Sequence, residues 1–128
     1  MLGSVLAISA GAAIGALLRW VLAVQWNPSS PALPLGTLAA NMLGGYLVGV
    51  AVAYFSIRTD LPPEVRLFVV TGFLGGLTTF STFSAEVVTH MQQGQWVAAL
   101  VTAATHVVGS FALTALGIAT VGLLKQTP

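Results

Sequence analysis

The sequence contains no cysteine, and its 128 residues include only three acids and four bases. Without cysteine there is no disulfide framework, no thiol nucleophile and no thiolate metal site. A soluble domain of this size carries about 25% charged residues; here the share is 5%, while 56% of the residues are apolar. So few charges cannot build a water-facing surface, so the outer surface must face lipid. A net charge of +1 excludes the clustered Lys and Arg of a nucleic-acid interface. No nucleophile–base pair or metal cluster stands out either, so an enzyme is not expected. The N-terminus lacks the basic n-region of a secretory signal, and the apolar run from Leu2 continues past Arg19 to Trp26. It reads as a retained first span.

What the chain does have is apolar runs of membrane length. About 20 apolar residues are needed to cross the hydrocarbon core as a helix. Four such spans are expected, at about 2–26, 34–57, 64–90 and 96–124, in one all-α transmembrane unit covering 1–128. Asn27-Pro28-Ser29-Ser30-Pro31, Arg58-Thr59-Asp60-Leu61-Pro62-Pro63 and Met91-Gln92-Gln93-Gly94-Gln95 punctuate them, as turn-forming residues do. Trp20, Trp26, Tyr54 and Trp96 fall near span ends, where an aromatic belt sits.

An even number of spans puts the N-terminus, the second loop and the C-terminus on one side. That side carries Arg58, Arg66 and Lys125, against Arg19 inside the first span. This positive-inside bias is small, so insertion in both directions is physically reasonable. It suits a protein that pairs antiparallel with its own copy.

Small residues recur at four-residue spacing: Gly11 and Gly15; Gly36, Ala40 and Gly44; Gly45, Gly49 and Ala53. Such rows let helices approach closely in lipid, and they are read as packing within the chain. Four short helices enclose little volume, however, and a polar pathway needs more walls, so self-association is also expected.

Polar groups inside a bilayer are costly unless they pair or line a wet cavity. Thr37 and Asn41 share a face of the second span, and Thr102, His106, Ser110 and Thr114 recur at i+4 along the fourth. Thr78-Thr79-Phe80-Ser81-Thr82-Phe83-Ser84 is mostly hydroxyl at hydrocarbon depth. Taken singly, hydroxyls bond their own helix and an Asn joins two helices. Together the rows describe a passive conduit for something small, since they contain no carboxylate at mid-depth.

Gly72-Phe73-Leu74-Gly75-Gly76-Leu77-Thr78-Thr79 holds three glycines and two threonines. Glycine costs about 1 kcal/mol per helical site relative to Ala, so a break in the third span is expected near Gly75–Thr79. Carbonyls freed at membrane depth need protein, water or a cation. Beyond it, Phe80 and Phe83 share one helix face. Phenylalanine ring edges are electropositive, and with amide and hydroxyl donors they would favour a small, hard anion.

These residues closely resemble a family signature. Gly72 to Ser84 resembles the third-helix motif of the Fluc (CrcB) fluoride channels. Gly36-Thr37-Leu38-Ala39-Ala40-Asn41 with Gly44-Gly45 resembles the second-helix motif, and Arg19 sits where the family has a first-helix Arg. The resemblance implies an antiparallel, dual-topology homodimer in the inner cell membrane, with two fluoride pores that export the anion from the cytoplasm. It implies that Phe80 and Phe83 meet fluoride with their ring edges and that Asn41 is an amide donor. Ser81, Thr82, Ser110, Thr114 and Thr37 would supply hydroxyls, and Arg19 would lie at an aqueous vestibule. It further implies a structural sodium ion at the dimer interface, held by the Gly75 and Thr78 backbone carbonyls. The alternative is a four-helix, dual-topology multidrug or cation transporter. That class works through a first-span carboxylate, which this first span lacks. Glu86, His90 and His106 are left without an assigned role.

Overall fold

The computed structural model describes residues 1–126, and residues 127–128 of the expected unit lie outside the described residues. The chain is all-helical, with four helical runs long and apolar enough to cross a membrane. Helix α1 is Leu2–Trp26. A 3-10 turn, Asn27–Ser29, carries Pro28 and leads to α2, Leu35–Ile57. Pro34 stands as the α2 N-cap, where its missing N–H costs nothing.

The third span, Pro63–Gln92, has two halves. The first, α3 (residues 63–77), opens as an α-turn, Pro63–Arg66, widens into a π-helical stretch, Leu67–Leu74, and closes with Gly75–Leu77. In the wide stretch the Gly75 N–H reaches the carbonyls of Val70 and Gly72. Thr78 (φ −83°, ψ 153°) and Thr79 (φ −148°, ψ 117°) are extended. Helix α4, Phe80–Gln92, starts immediately after, its N-cap Thr79 accepting from the Thr82 N–H. Gly75–Leu77 are thus helical, and the extended residues are the β-branched pair that follows them. Gly94, at φ 72°, makes the turn into α5, Trp96–Gln126. That left-handed conformation is one glycine adopts freely.

The small-residue rows become helix crossings within the chain. Gly11 of α1 meets Gly72 of α3, Gly15 meets the Phe73–Leu77 backbone, and Gly76 meets Ala12 and Ala16, backbone against backbone. A Cβ at Gly15 would stand 2.7 Å from the Leu77 nitrogen, and one at Gly72 2.7 Å from the Ile8 oxygen. Across the molecule, α2 lies along α5, where a Cβ at Gly117 would stand 2.9 Å from the Val50 nitrogen. The Thr114 hydroxyl donates to the Gly45 carbonyl at 2.9 Å across this second crossing. Dispersion and interhelical hydrogen bonds at such approaches replace the hydrophobic effect, which is absent between helices in lipid. Ala40, Ala51, Leu74 and Leu77 form the buried centre, while Leu17, Trp20, Val97, Leu100 and Leu123 are exposed. Apolar outside and small or polar inside is the arrangement lipid demands.

Candidate functional site

The extended pair Thr78–Thr79 leaves backbone groups that a continuous helix would have paired, and the sequence supplies substitutes from other helices. The Thr79 N–H donates to Asn41 Oδ1 at 2.7 Å, and Asn41 Nδ2 donates to the Thr79 carbonyl at 3.0 Å. The Asn41 amide therefore pairs with the Thr79 backbone much as another peptide group would. The Thr79 hydroxyl accepts from the Thr82 N–H at 3.1 Å, donates to Thr82 Oγ1 at 3.1 Å and lies 3.3 Å from Ser81 Oγ. Thr78 Oγ1 donates back to the Leu74 carbonyl at 2.8 Å. Gly44 makes room for the Thr78 methyl, because a Cβ there would collide with Thr78 Cγ2.

An open groove of about 520 Å³ runs along this region between α2, the halves of the third span and α5. Of the residues singled out in the sequence, Asn41, Gly75, Thr78, Phe80, Phe83, Ser110 and Thr114 all line it. They come from three spans, so the fold brings the polar rows and the phenylalanines to one wall. Phe80 is 76% exposed, whereas Phe83 is 8% exposed. Their rings meet edge to face, with centroids 5.3 Å apart at 79°. Phe83 in turn stacks on the His106 imidazole at 4.6 Å and 22°.

The remaining candidates sit elsewhere. Ser81 and Thr82 are tied to Thr79 and do not line the groove. The Thr37 hydroxyl donates to Glu86 Oε1 at 2.6 Å, and its N–H donates to Asn27 Oδ1 at 3.0 Å. Asn27 thereby satisfies a first-turn N–H of α2 that Pro34 cannot cap. Arg19 is half-buried, and its Nε donates to the Gly76 carbonyl at 3.0 Å, which ties α1 to α3 just before the extended pair. Among the described residues no cluster of His, Cys, Asp or Glu could hold a metal ion.

Two residues emerge that the sequence left without a role here. Thr79 is the hinge of the hydrogen-bond set. Its signal was present, a Thr directly before a helix with a hydroxyl three residues on, as N-caps are. His106 also joins the groove, 3.0 Å from Asn41 through Nδ1. Nothing in its spacing foretold that partner, which is 65 positions away.

A family model described as "CrcB-like protein, Camphor Resistance (CrcB)" matches residues 6–118. A Burkholderia cenocepacia protein named "Fluoride-specific ion channel FluC" is 62% identical over 118 residues, covering 92% of each chain. A Tolumonas auensis protein of the same name is 58% identical over 127 residues, covering 99% of this chain and 100% of the other.

Proposed function

We propose that this chain, which belongs to the CrcB-like protein family, is a multi-pass membrane protein that conducts fluoride passively as half of an antiparallel dimer. The observation that carries the reading is the groove at the interrupted third span. In a chain about 60% identical to relatives named as fluoride-specific channels, it gathers the phenylalanine pair, Asn41, Ser110 and Thr114 on one wall. The same relatives make the chain a channel and not an enzyme.

The physics of the wall suits an anion. Helix α4 begins at Phe80, and a helix N-terminus carries roughly half a positive charge. Phenylalanine edges add a weaker positive potential without a mobile counter-charge. The hydroxyls of Ser110 and Thr114 can turn a proton toward a passing ion, although the Thr114 proton is held by Gly45 in the resting chain. Both Asn41 protons are engaged, with Thr79 and His106, so an anion reaches that amide by displacing one of these bonds. Ser81 and Thr82 act next to the wall through Thr79. Thr37, bonded to Asn27 and Glu86 away from the groove, acts on the path only at a distance, and the positive charge of Arg19 beside α3 favours anions nearby.

An exposed groove with Phe80 and Phe111 open on it calls for a cover, and a second, inverted copy supplies one. Two copies related by a two-fold axis would make two equivalent pores, and the small charge bias lets either orientation insert. Such a channel in the inner membrane would release cytoplasmic fluoride down its potential, worth about 2.3 kcal/mol per 100 mV.

A structural sodium ion fits the same break. The Gly75 carbonyl would be met in a continuous helix by the Thr79 N–H, and the Thr78 carbonyl by the Thr82 N–H. Both N–H groups are given instead to side chains, Asn41 Oδ1 and Thr79 Oγ1. Gly75 and Thr78 therefore offer carbonyl oxygens, the hard ligands that a sodium ion takes. The ion would supply fixed positive charge that holds two copies together.

The test is fluoride efflux from liposomes containing the purified dimer, read with a fluoride electrode, with chloride as control. The expected result is efflux of fluoride far above chloride. Folded protein that releases neither ion, or both equally, refutes the reading.

A further inference from the structure

The Asn41 amide can be oriented from its surroundings. A backbone N–H only donates, so the atom 2.7 Å from the Thr79 nitrogen is Oδ1, and the one 3.0 Å from the Thr79 carbonyl is Nδ2. The second Nδ2 proton then faces His106 Nδ1 at 3.0 Å. An amide nitrogen cannot accept, so Nδ1 must be the acceptor, and His106 is neutral with its proton on Nε2. That ring is 3% exposed and stacks on Phe83. Its Nε2–H meets no acceptor among the described residues.

We propose that His106 is a positioning residue of the anion path, acting through Asn41 with one ring nitrogen and through Phe83 with its ring face. The proposal deepens the channel reading and rests on it for its consequence in transport. Without the Nδ1 acceptor, the amide has one proton to satisfy elsewhere and is free to turn away from the Thr79 backbone. Thr79 then loses the partner that keeps it extended. Without the ring face, Phe83 loses the surface that fixes its tilt against Phe80. One imidazole in one tautomer thus holds both the break and the phenylalanine pair. Neither Lys nor a hydroxyl could do this, since the first has no acceptor and the second no flat face.

The experiment has a spectroscopic arm and a transport arm. Nitrogen NMR on protein carrying labelled histidine and asparagine, in lipid nanodiscs, should show His106 protonated at Nε2 alone, with Nδ1 a bare, hydrogen-bonded nitrogen. A proton on Nδ1, or on both nitrogens, at neutral pH overturns the proposal whatever the transport result. His106→Leu keeps bulk and removes the acceptor, and exchange of the Asn41 side-chain protons should then accelerate about tenfold, the scale of one hydrogen bond. Fluoride efflux should fall by a similar factor. His106→Asn returns an acceptor oxygen close to where Nδ1 stood but no ring face, so it should restore slow amide exchange and recover only part of the efflux. Equal behaviour of the Leu and Asn variants, or wild-type exchange and efflux in the Leu variant, overturns the proposal. A wild-type chain that carries no fluoride refutes the channel reading separately, while tautomer and amide exchange still decide whether His106 holds Asn41.

Discussion

Replacing Asn41 with Asp exchanges one amide group for a carboxylate of nearly the same shape, and the structure says what each atom would meet. Oδ1 would still accept from the Thr79 N–H. The atom that replaces Nδ2 would face the Thr79 carbonyl and His106 Nδ1, both acceptors, at about the 3.0 Å separations of the native bonds. Two interhelical hydrogen bonds are lost, each worth about 0.6–1.5 kcal/mol. A carboxylate at mid-depth adds about 2.5–3.5 kcal/mol. The combined penalty is roughly 4–6.5 kcal/mol, enough to release Thr79 and to repel an anion from the groove. A protonated Asp recovers one of the two donors and never both, so the defect persists in either state. Thermal unfolding of the detergent-solubilised protein should shift to clearly lower temperature, and liposome efflux of fluoride should fall by about a hundredfold or more. Asn41→Leu, which removes the bonds without adding charge, should fall between Asp and wild type in stability. If Asn41→Asp melts and conducts as wild type, the hydrogen-bond assignment at Thr79 and the anion reading of the groove are both wrong.

Four further outcomes are expected. Phe80→Ile and Phe83→Ile keep bulk but lose the positive ring edge, so each should lower fluoride efflux while leaving a folded protein; unchanged throughput in both would refute the ring-edge argument. Gly15→Val places a side chain against the α3 backbone, where even a Cβ would stand 2.7 Å from the Leu77 nitrogen, so α1 and α3 must separate and little folded protein should be recovered by size-exclusion chromatography. In the second loop, Arg58 pairs with Asp60 at 2.9 Å, and that hydrogen bond holds the Asp60 carboxyl down at about 2. A depressed carboxylate contributes stability above its ordinary value of about 3.9 and loses it as pH falls toward 2. Because the pair is exposed and screened, Asp60→Asn should leave melting and efflux at pH 7 unchanged, and NMR titration of the carboxyl should show a midpoint well below 3.9. Replacing sodium by N-methylglucamine in all buffers should weaken the dimer in cross-linking and melting assays; no change would remove the proposed ion from Gly75 and Thr78.

The chain's class and span plan could be read from its residues, because hydropathy is a local property summed along the chain. Twenty apolar residues cross a bilayer whatever their neighbours do, and four such runs become the four observed helical spans. The glycine rows likewise announced close approach, although only the fold assigned Gly11 and Gly15 to α3 and Gly45 and Gly49 to α5. The wide helical turn at Leu67–Leu74 had no signal that periodicity could detect, since a run of apolar residues reads alike at either winding.

Sequence by itself determined that this protein is a multi-pass membrane protein with four runs long and apolar enough to cross the bilayer, that it belongs to the CrcB-like family, and that its unusual residues cluster around Thr78–Ser84. Tertiary structure alone decided which polar groups meet. Asn41 finds Thr79 across 38 positions and His106 across 65, and Thr37 finds Glu86 across 49. A hydrogen bond depends on distance and direction in space to within a few tenths of an ångström, and no local pattern of residues carries that information. Hydropathy needs only the neighbours along the chain; the amide that satisfies Thr79 needed the whole fold.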